Sequence, residues 1–174
     1  MRFELGESGF EEKFTAFLSA KRENDADLNG TVAQIIADVR KNGDTALFDY
    51  TKRFDQVELT SQSIRVSEKE IEEAVKSCKK ETLDALYLAA ERIEAFHEKQ
   101  IPESRMFNDE TGALLGWRWT PVFAAGLYVP GGTAAYPSSV LMNAVPAKVA
   151  GVKRIVMAVP APQGKINPLV LAAA

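Results

Sequence analysis

The chain has one cysteine, one histidine and no large excess of either charge: 24 acidic residues stand against 21 basic ones in 174, for a formal net charge of −3. Cys78 alone cannot close an internal disulfide, so no covalent staple holds the fold. One histidine and one cysteine do not make a metal site from the usual nitrogen and sulfur donors. The two charge signs are mixed along the chain and leave no cationic field to follow a phosphate backbone, so nucleic acid is not an expected partner. No apolar run reaches the roughly 20 residues that span a bilayer. The opening MRFELGESGFEEKF has neither an apolar leader core nor a basic amphipathic pattern. The expected setting is cytoplasmic, with no membrane partner.

The residues present are those of a folding chain. Hydrophobic residues make up 46% and charged residues 26%, a balance that separates it from disordered sequences. The first hundred residues read as helices. Phe10, Phe14, Phe17 and Leu18 recur at helical spacing, and Val32, Ile35, Ile36 and Val39 form a second such stripe, predicting two helices. Gly43 stands where a left-handed C-terminal residue belongs, and Asp44 can cap the helix carrying Leu47, Tyr50 and Phe54. Ser63 to Val66 reads as a short β-favouring piece. Ser67 and Glu70 have capping-box spacing ahead of Ile71, Ala74, Val75 and Cys78, and Leu83, Leu86, Tyr87, Ala90 and Ile93 mark another helix that ends before Pro102.

From Met106 the pattern changes. Asn108, Asp109 and Gly112 signal the turn of a β-hairpin. Ala124 to Val129 then reads as a buried strand, Ser138 to Ala150 as a helix closed by Gly151, and Arg154 to Val159 as a second buried strand. Together they make a βαβ unit with parallel strands. Asn167 and Pro168 open one more helix. The predicted class is α/β: a helical lead-in over 1–105, then a hairpin and the start of a Rossmann-like parallel sheet over 106–174, with the boundary near Pro102 to Asn108. A parallel sheet needs both faces covered. Two strands and a barely opened helix therefore predict an incomplete, truncated domain, with apolar surface exposed around Val156, Leu169 and Leu171.

The stretch between the strand and the helix, GLYVPGGTAAYPSS, holds the candidate site. Gly131 and Gly132 lie where backbone N–H groups can approach a ligand ahead of a helix N-terminus. Their spacing is not that of the dinucleotide fingerprint, and nine residues separate Val129 from Ser139. A ligand-binding turn and a purely structural one both remain open. Tyr128, at the strand's carboxyl end, can stack on a base or nicotinamide, or can be a core aromatic. Ser138 and Ser139 are expected to cap the helix, since neither has an acid or a histidine at useful spacing. His97 is expected to be a packed histidine, and Glu91, Glu94 and Glu98 a solvated helix face. These residues contain no catalytic constellation.

The segment GLYVPGGTAAYPSSVLMNAVPAKVAGV closely resembles the signature of the histidinol dehydrogenase family. The similarity extends through TPVFAAGLYVPGG and KRIVMAVPAP, and more weakly through RKNGDTALFDYTKRFD, VSEKEIEEA and RIEAFHEKQ. The family's enzymes are longer, so the resemblance implies an N-terminal portion. It implies, for the whole enzyme, a zinc-dependent homodimer that takes L-histidinol through histidinal to L-histidine while reducing two NAD. Tyr128 matches the tyrosine that contacts NAD. Gly131 and Gly132 match the motif and shape the loop near the cofactor. The zinc ligands, the substrate contacts and the glutamate–histidine pair that acts as base and activates water lie outside this sequence, so the fragment alone is expected to be inactive. The other functions the residues allow are a non-catalytic interaction module docking through an exposed sheet edge, and an unrelated nucleotide-binding half-domain.

Overall fold

The computed structural model describes residues 4, 6–131 and 136–174, the side chains at 20–27 excepted. Contacts between Cα atoms divide the chain into two compact units, Met1–Tyr50 and Thr51–Ala174.

In the first unit one helix, α1, runs Phe10–Asn42 where the apolar spacing predicts two. The polar segment between the two stripes has no proline to interrupt the hydrogen-bond ladder. Gly30 lies in open space, so it lowers helix propensity without breaking the helix. Glu11 and Glu12 in the first turn and Arg40 and Lys41 in the last complement the helix dipole. Gly43 then takes a φ of 61°, as the sequence predicts, and its N–H donates to the Val39 carbonyl at 2.8 Å. Helix α2, Asp44–Asp55, follows at once. The Tyr50 hydroxyl donates to Asp38 Oδ2 at 3.0 Å, and Asn42 Nδ2 donates to Oδ1 of the same carboxylate at 2.6 Å. Asp38 thereby ties the end of one helix to the other.

In the second unit the piece Ser63 to Val66 is a turn and not a strand. The Thr60 N–H donates to Ser63 Oγ at 2.9 Å and the Ser63 N–H returns to Thr60 Oγ1 at 3.2 Å. These side chains give the backbone local partners in place of a ladder. Helix α3, Glu68–Ser77, starts with the predicted capping box: the Ser67 N–H donates to Glu70 Oε2 at 2.8 Å, and the Glu70 N–H to Ser67 Oγ at 3.3 Å. Helix α4, Lys80–Glu98, follows.

Strands β1, Arg105–Asn108, and β2, Leu114–Trp117, form the predicted antiparallel hairpin. Asp109 organises its turn. Its Oδ1 accepts from the Thr111 hydroxyl at 2.7 Å and from the Thr111 and Ala113 N–H groups at 2.9 Å each. The Thr111 hydroxyl, followed by the Ala113 N–H, holds this carboxyl below its ordinary pKa. At the open end, the Trp117 indole donates to the Glu103 carbonyl and the Trp119 N–H to Ser104 Oγ, both at 2.9 Å. Gly116 must be a glycine, because a Cβ there would run into the Arg105 carbonyl and lie 2.6 Å from Met106 Sδ.

Strands β3, Ala124–Tyr128, and β4, Arg154–Ala158, are parallel, in register from Ala124↔Arg154 to Tyr128↔Ala158, with α5, Pro137–Val149, between them. This is the expected βαβ unit, its elements placed within one residue of the predicted bounds. After a short 3-10 turn, α6, Pro168–Ala172, begins where Asn167 Oδ1 accepts the Leu169 N–H at 2.9 Å. Helix α5 packs on α4, and α6 on α3 and α5. Val129, Val140 and Val170 form the buried centre, with Ala144, Met157, Val159 and Ala173 around them. One face of the two-stranded sheet thus lies on α5 and α6. The other presents Ala124, Gly126, Tyr128, Arg154, Val156 and Ala158 to solvent.

Val156 is exposed as expected, but Leu169 is half-buried and Leu171 is buried. The expectation of exposed apolar surface at these two leucines is corrected: α6 has neighbours within the chain, α3 and α5, that cover it.

The capping box generates the first prediction. Glu70 is held below its ordinary pKa of 4.5, first by the Ser67 hydroxyl and then by the Ser67 N–H. A depressed carboxyl stabilises the fold above its unfolded pKa, and that contribution is lost as pH falls through the lowered value. Ser67→Ala should cost about 1 kcal/mol near neutral pH. Denaturant titrations should find the gap between parent and variant narrowing in acid below pH 4.5.

Candidate functional site

The carboxyl ends of β3 and β4 lie side by side, and in open parallel sheets this is where ligands sit. Side chains alternate across the last residues of β3. Leu127 is half-buried, Tyr128 is 67% exposed and Val129 is completely buried. The Val129 N–H donates to the Ala158 carbonyl at 3.0 Å, carrying the ladder one step past the strand. Tyr128 is therefore held at the sheet's rim by a buried neighbour while its own ring stays in solvent. Of the two sequence readings of this residue, the core aromatic is not met within these 174 residues.

Beyond Val129 the chain passes Pro130 to Gly131. A Cβ on Gly131 would lie 3.1 Å from the Pro160 carbonyl oxygen and 3.2 and 3.3 Å from the ring carbons Cδ and Cγ. The loop after β3 thus rests on the loop after β4. Gly132 lies outside the described residues, so the second glycine of the motif has no structural account.

The serine caps are not formed as expected. Helix α5 begins at Pro137 with Tyr136 as its N-cap and no side-chain cap bond. Proline suits the first helical position because its missing N–H would have no partner there. The start therefore moves one residue ahead of Ser138. The Ser139 N–H donates to the Tyr136 carbonyl at 3.0 Å, and Asn143 Nδ2 donates to the Ser139 carbonyl at 2.6 Å.

The other sequence candidates lie elsewhere. The His97 ring meets Phe96 edge-on with centroids 5.2 Å apart. It lines a half-open cavity of about 320 Å³ with Gln100, Trp119, Pro121, Pro146 and Val149. Glu91, Glu94 and Glu98 are exposed. Cys78 is half-buried and its thiol donates to the Ala74 carbonyl at 3.2 Å. Among the described residues no group of three or more His, Cys, Asp or Glu could hold a metal ion. Among the described residues, the carboxyls held below their ordinary pKa are Glu58, which accepts a 2.6 Å bond from Lys52, and the cap and turn groups Glu70 and Asp109. None of these lies on the rim of the parallel sheet.

Sequence reasoning missed the contact of Gly131 with Pro160. The signal was present as Val129-Pro130 and Val159-Pro160, the same dipeptide after each parallel strand.

The family model for histidinol dehydrogenase matches residues 18–174. A histidinol dehydrogenase of Bradyrhizobium diazoefficiens is 56% identical over 174 residues, covering 100% of this chain and 40% of the relative. That of Ruegeria pomeroyi is 59% identical over 165 residues, 95% of this chain and 38% of the relative. A crystal structure of histidinol dehydrogenase from Elizabethkingia anophelis superposes with a TM-score of 0.78 at 36% identity, over 84% of this chain and 34% of that one. The chain thus spans about two fifths of the length of the relatives it matches.

A neighbouring pair of substitutions separates rim from core. Val129→Ala should destabilise the protein by about 2 kcal/mol through lost burial and a residual void. Tyr128→Ala, at an exposed side chain, should leave the unfolding free energy within about 0.5 kcal/mol of the parent. Denaturant unfolding of the two variants checks both.

Proposed function

We propose, because the chain belongs to the histidinol dehydrogenase family, that the protein carrying it oxidises L-histidinol through histidinal to L-histidine in histidine biosynthesis, and that this stretch is its N-terminal portion, with Tyr128 against NAD. The observation that carries the reading is the solvent-facing Tyr128 ring, in the segment GLYVPGG, at the carboxyl end of the first parallel strand. An aromatic with one anchored neighbour and an open face is suited to stacking on a planar heterocycle.

Topology supports the same position. Helices α5 and α6 both pack on Val129 from one face. With right-handed crossovers, a strand following α6 in a longer protein would pair with the free edge of β4. In open parallel sheets dinucleotides bind in the crevice outside the carboxyl ends of the strands, which is where Tyr128 stands.

The described residues suit NAD and do not suit zinc. For the dinucleotide, Tyr128 would supply the stacking surface and the turn through Gly131 would shape the approach. NAD, when bound, would take up one hydride in each of the two oxidations. For zinc, the described residues offer no ligand cluster. In this reading the metal, the substrate contacts and the acid–base pair belong to the rest of a longer, cytoplasmic, homodimeric enzyme.

Expression of the whole open reading frame and of residues 1–174 alone tests the proposal. The whole frame should give histidinol-dependent NAD reduction, and the 174-residue chain none. In the active protein, Tyr128→Ala should raise KM for NAD about tenfold, the loss of roughly 1.4 kcal/mol of stacking. A whole frame without this turnover, or turnover by residues 1–174 alone, contradicts the assignment.

A further inference from the structure

We propose that Pro160 is a positioning residue for the cofactor turn: it seats Gly131, and through Gly131 holds Tyr128 where it meets the dinucleotide. This rests on the reading of Tyr128 given above.

Three observations lead to it. Gly131 does not have a φ in the left-handed region, so backbone conformation is not what requires glycine there. What requires it is space. The position of a Cβ is already crowded by the Pro160 carbonyl oxygen at 3.1 Å and by two ring carbons at 3.2 and 3.3 Å. Second, Tyr128 is followed by two fixed points, Val129, fully buried and bonded to Ala158, and Gly131, resting on Pro160. The ring between the strand and these supports is exposed, and its placement therefore follows theirs. Third, proline suits the seat. It brings no N–H that the close approach of another backbone would leave unpaired, and its fixed φ makes the surface stiff.

The seat couples the loops after two different strands into one rim. A methyl group on Gly131 would push them apart by a few tenths of an ångström and carry Tyr128 with them. A shift of this size should weaken binding of the ligand that touches the rim by about three- to tenfold, up to the loss expected for removing the Tyr128 ring altogether.

The test uses the protein expressed from its whole reading frame, with steady-state kinetics in both substrates and unfolding midpoints for Gly131→Ala, Pro160→Ala, the double variant and Tyr128→Ala. Gly131→Ala should raise KM for NAD about three- to tenfold and leave kcat and KM for histidinol within about twofold. Pro160→Ala should raise KM for NAD less. The double variant should recover part of the loss, because removing the ring carbons makes room for the added methyl. A merely structural role would lower the unfolding midpoint and move all kinetic parameters together, which overturns the proposal. Unchanged KM for NAD in Gly131→Ala, with Tyr128→Ala still impaired, overturns the role of Pro160 alone. Unchanged KM in Tyr128→Ala overturns the cofactor reading and this inference with it.

Discussion

Val129 is where three parts of the second unit meet. Its side chain is fully buried against Val140 of α5 and Val170 of α6, and its N–H reaches across to the Ala158 carbonyl of β4. One residue thus sets the distance from strand to helix on the covered face and the alignment of the two parallel strands at their carboxyl ends. Because side chains alternate along a strand, burying Val129 inward obliges Tyr128 to face outward. The candidate cofactor contact is a consequence of core packing.

The same unit is unevenly finished. The face of the sheet toward α5 and α6 is closed, while the opposite face, with Ala124, Gly126 and Ala158 around Val156, is open. Parallel sheets are normally covered on both sides. The hairpin presents Met106, Leu114 and Trp117 to solvent, and nearby Val122 and Phe123 are also exposed. A two-stranded ribbon is marginal on its own. This one has the Asp109 turn and the Trp117 and Trp119 hydrogen bonds to hold its shape. These surfaces accord with a chain that spans about two fifths of its relatives' length.

Much of the fold was legible because its signals are local. Ser67 and Glu70 announce their helix by chemistry three residues apart, Asp109 and Gly112 announce the hairpin, and Asn167-Pro168 announces α6. The strands of the βαβ unit follow from short apolar runs between turn residues. What was not legible depends on partners distant in sequence or on competition between neighbours. The unity of α1 rests on the absence of a breaker between two apolar stripes. The start of α5 went to Pro137 over the serines that follow it, and the burial of Leu171 depends on α3, about a hundred residues earlier in the chain. The motif containing Tyr128 was legible by resemblance. That its ring faces solvent, and that Gly131 rests on Pro160, required the packing of two loops some thirty residues apart.

In the proposed reading a buried valine and a proline seat hold a tyrosine on the rim of the sheet for a nicotinamide dinucleotide. Titrating NAD into isotope-labelled protein and following backbone and aromatic resonances addresses it most directly. Saturable shifts are expected, concentrated at Tyr128, Val129 and Gly131 and at Val159 and Ala161 on either side of Pro160. Shifts confined to the cavity beside His97 and Trp119, with the rim unmoved, would contradict it.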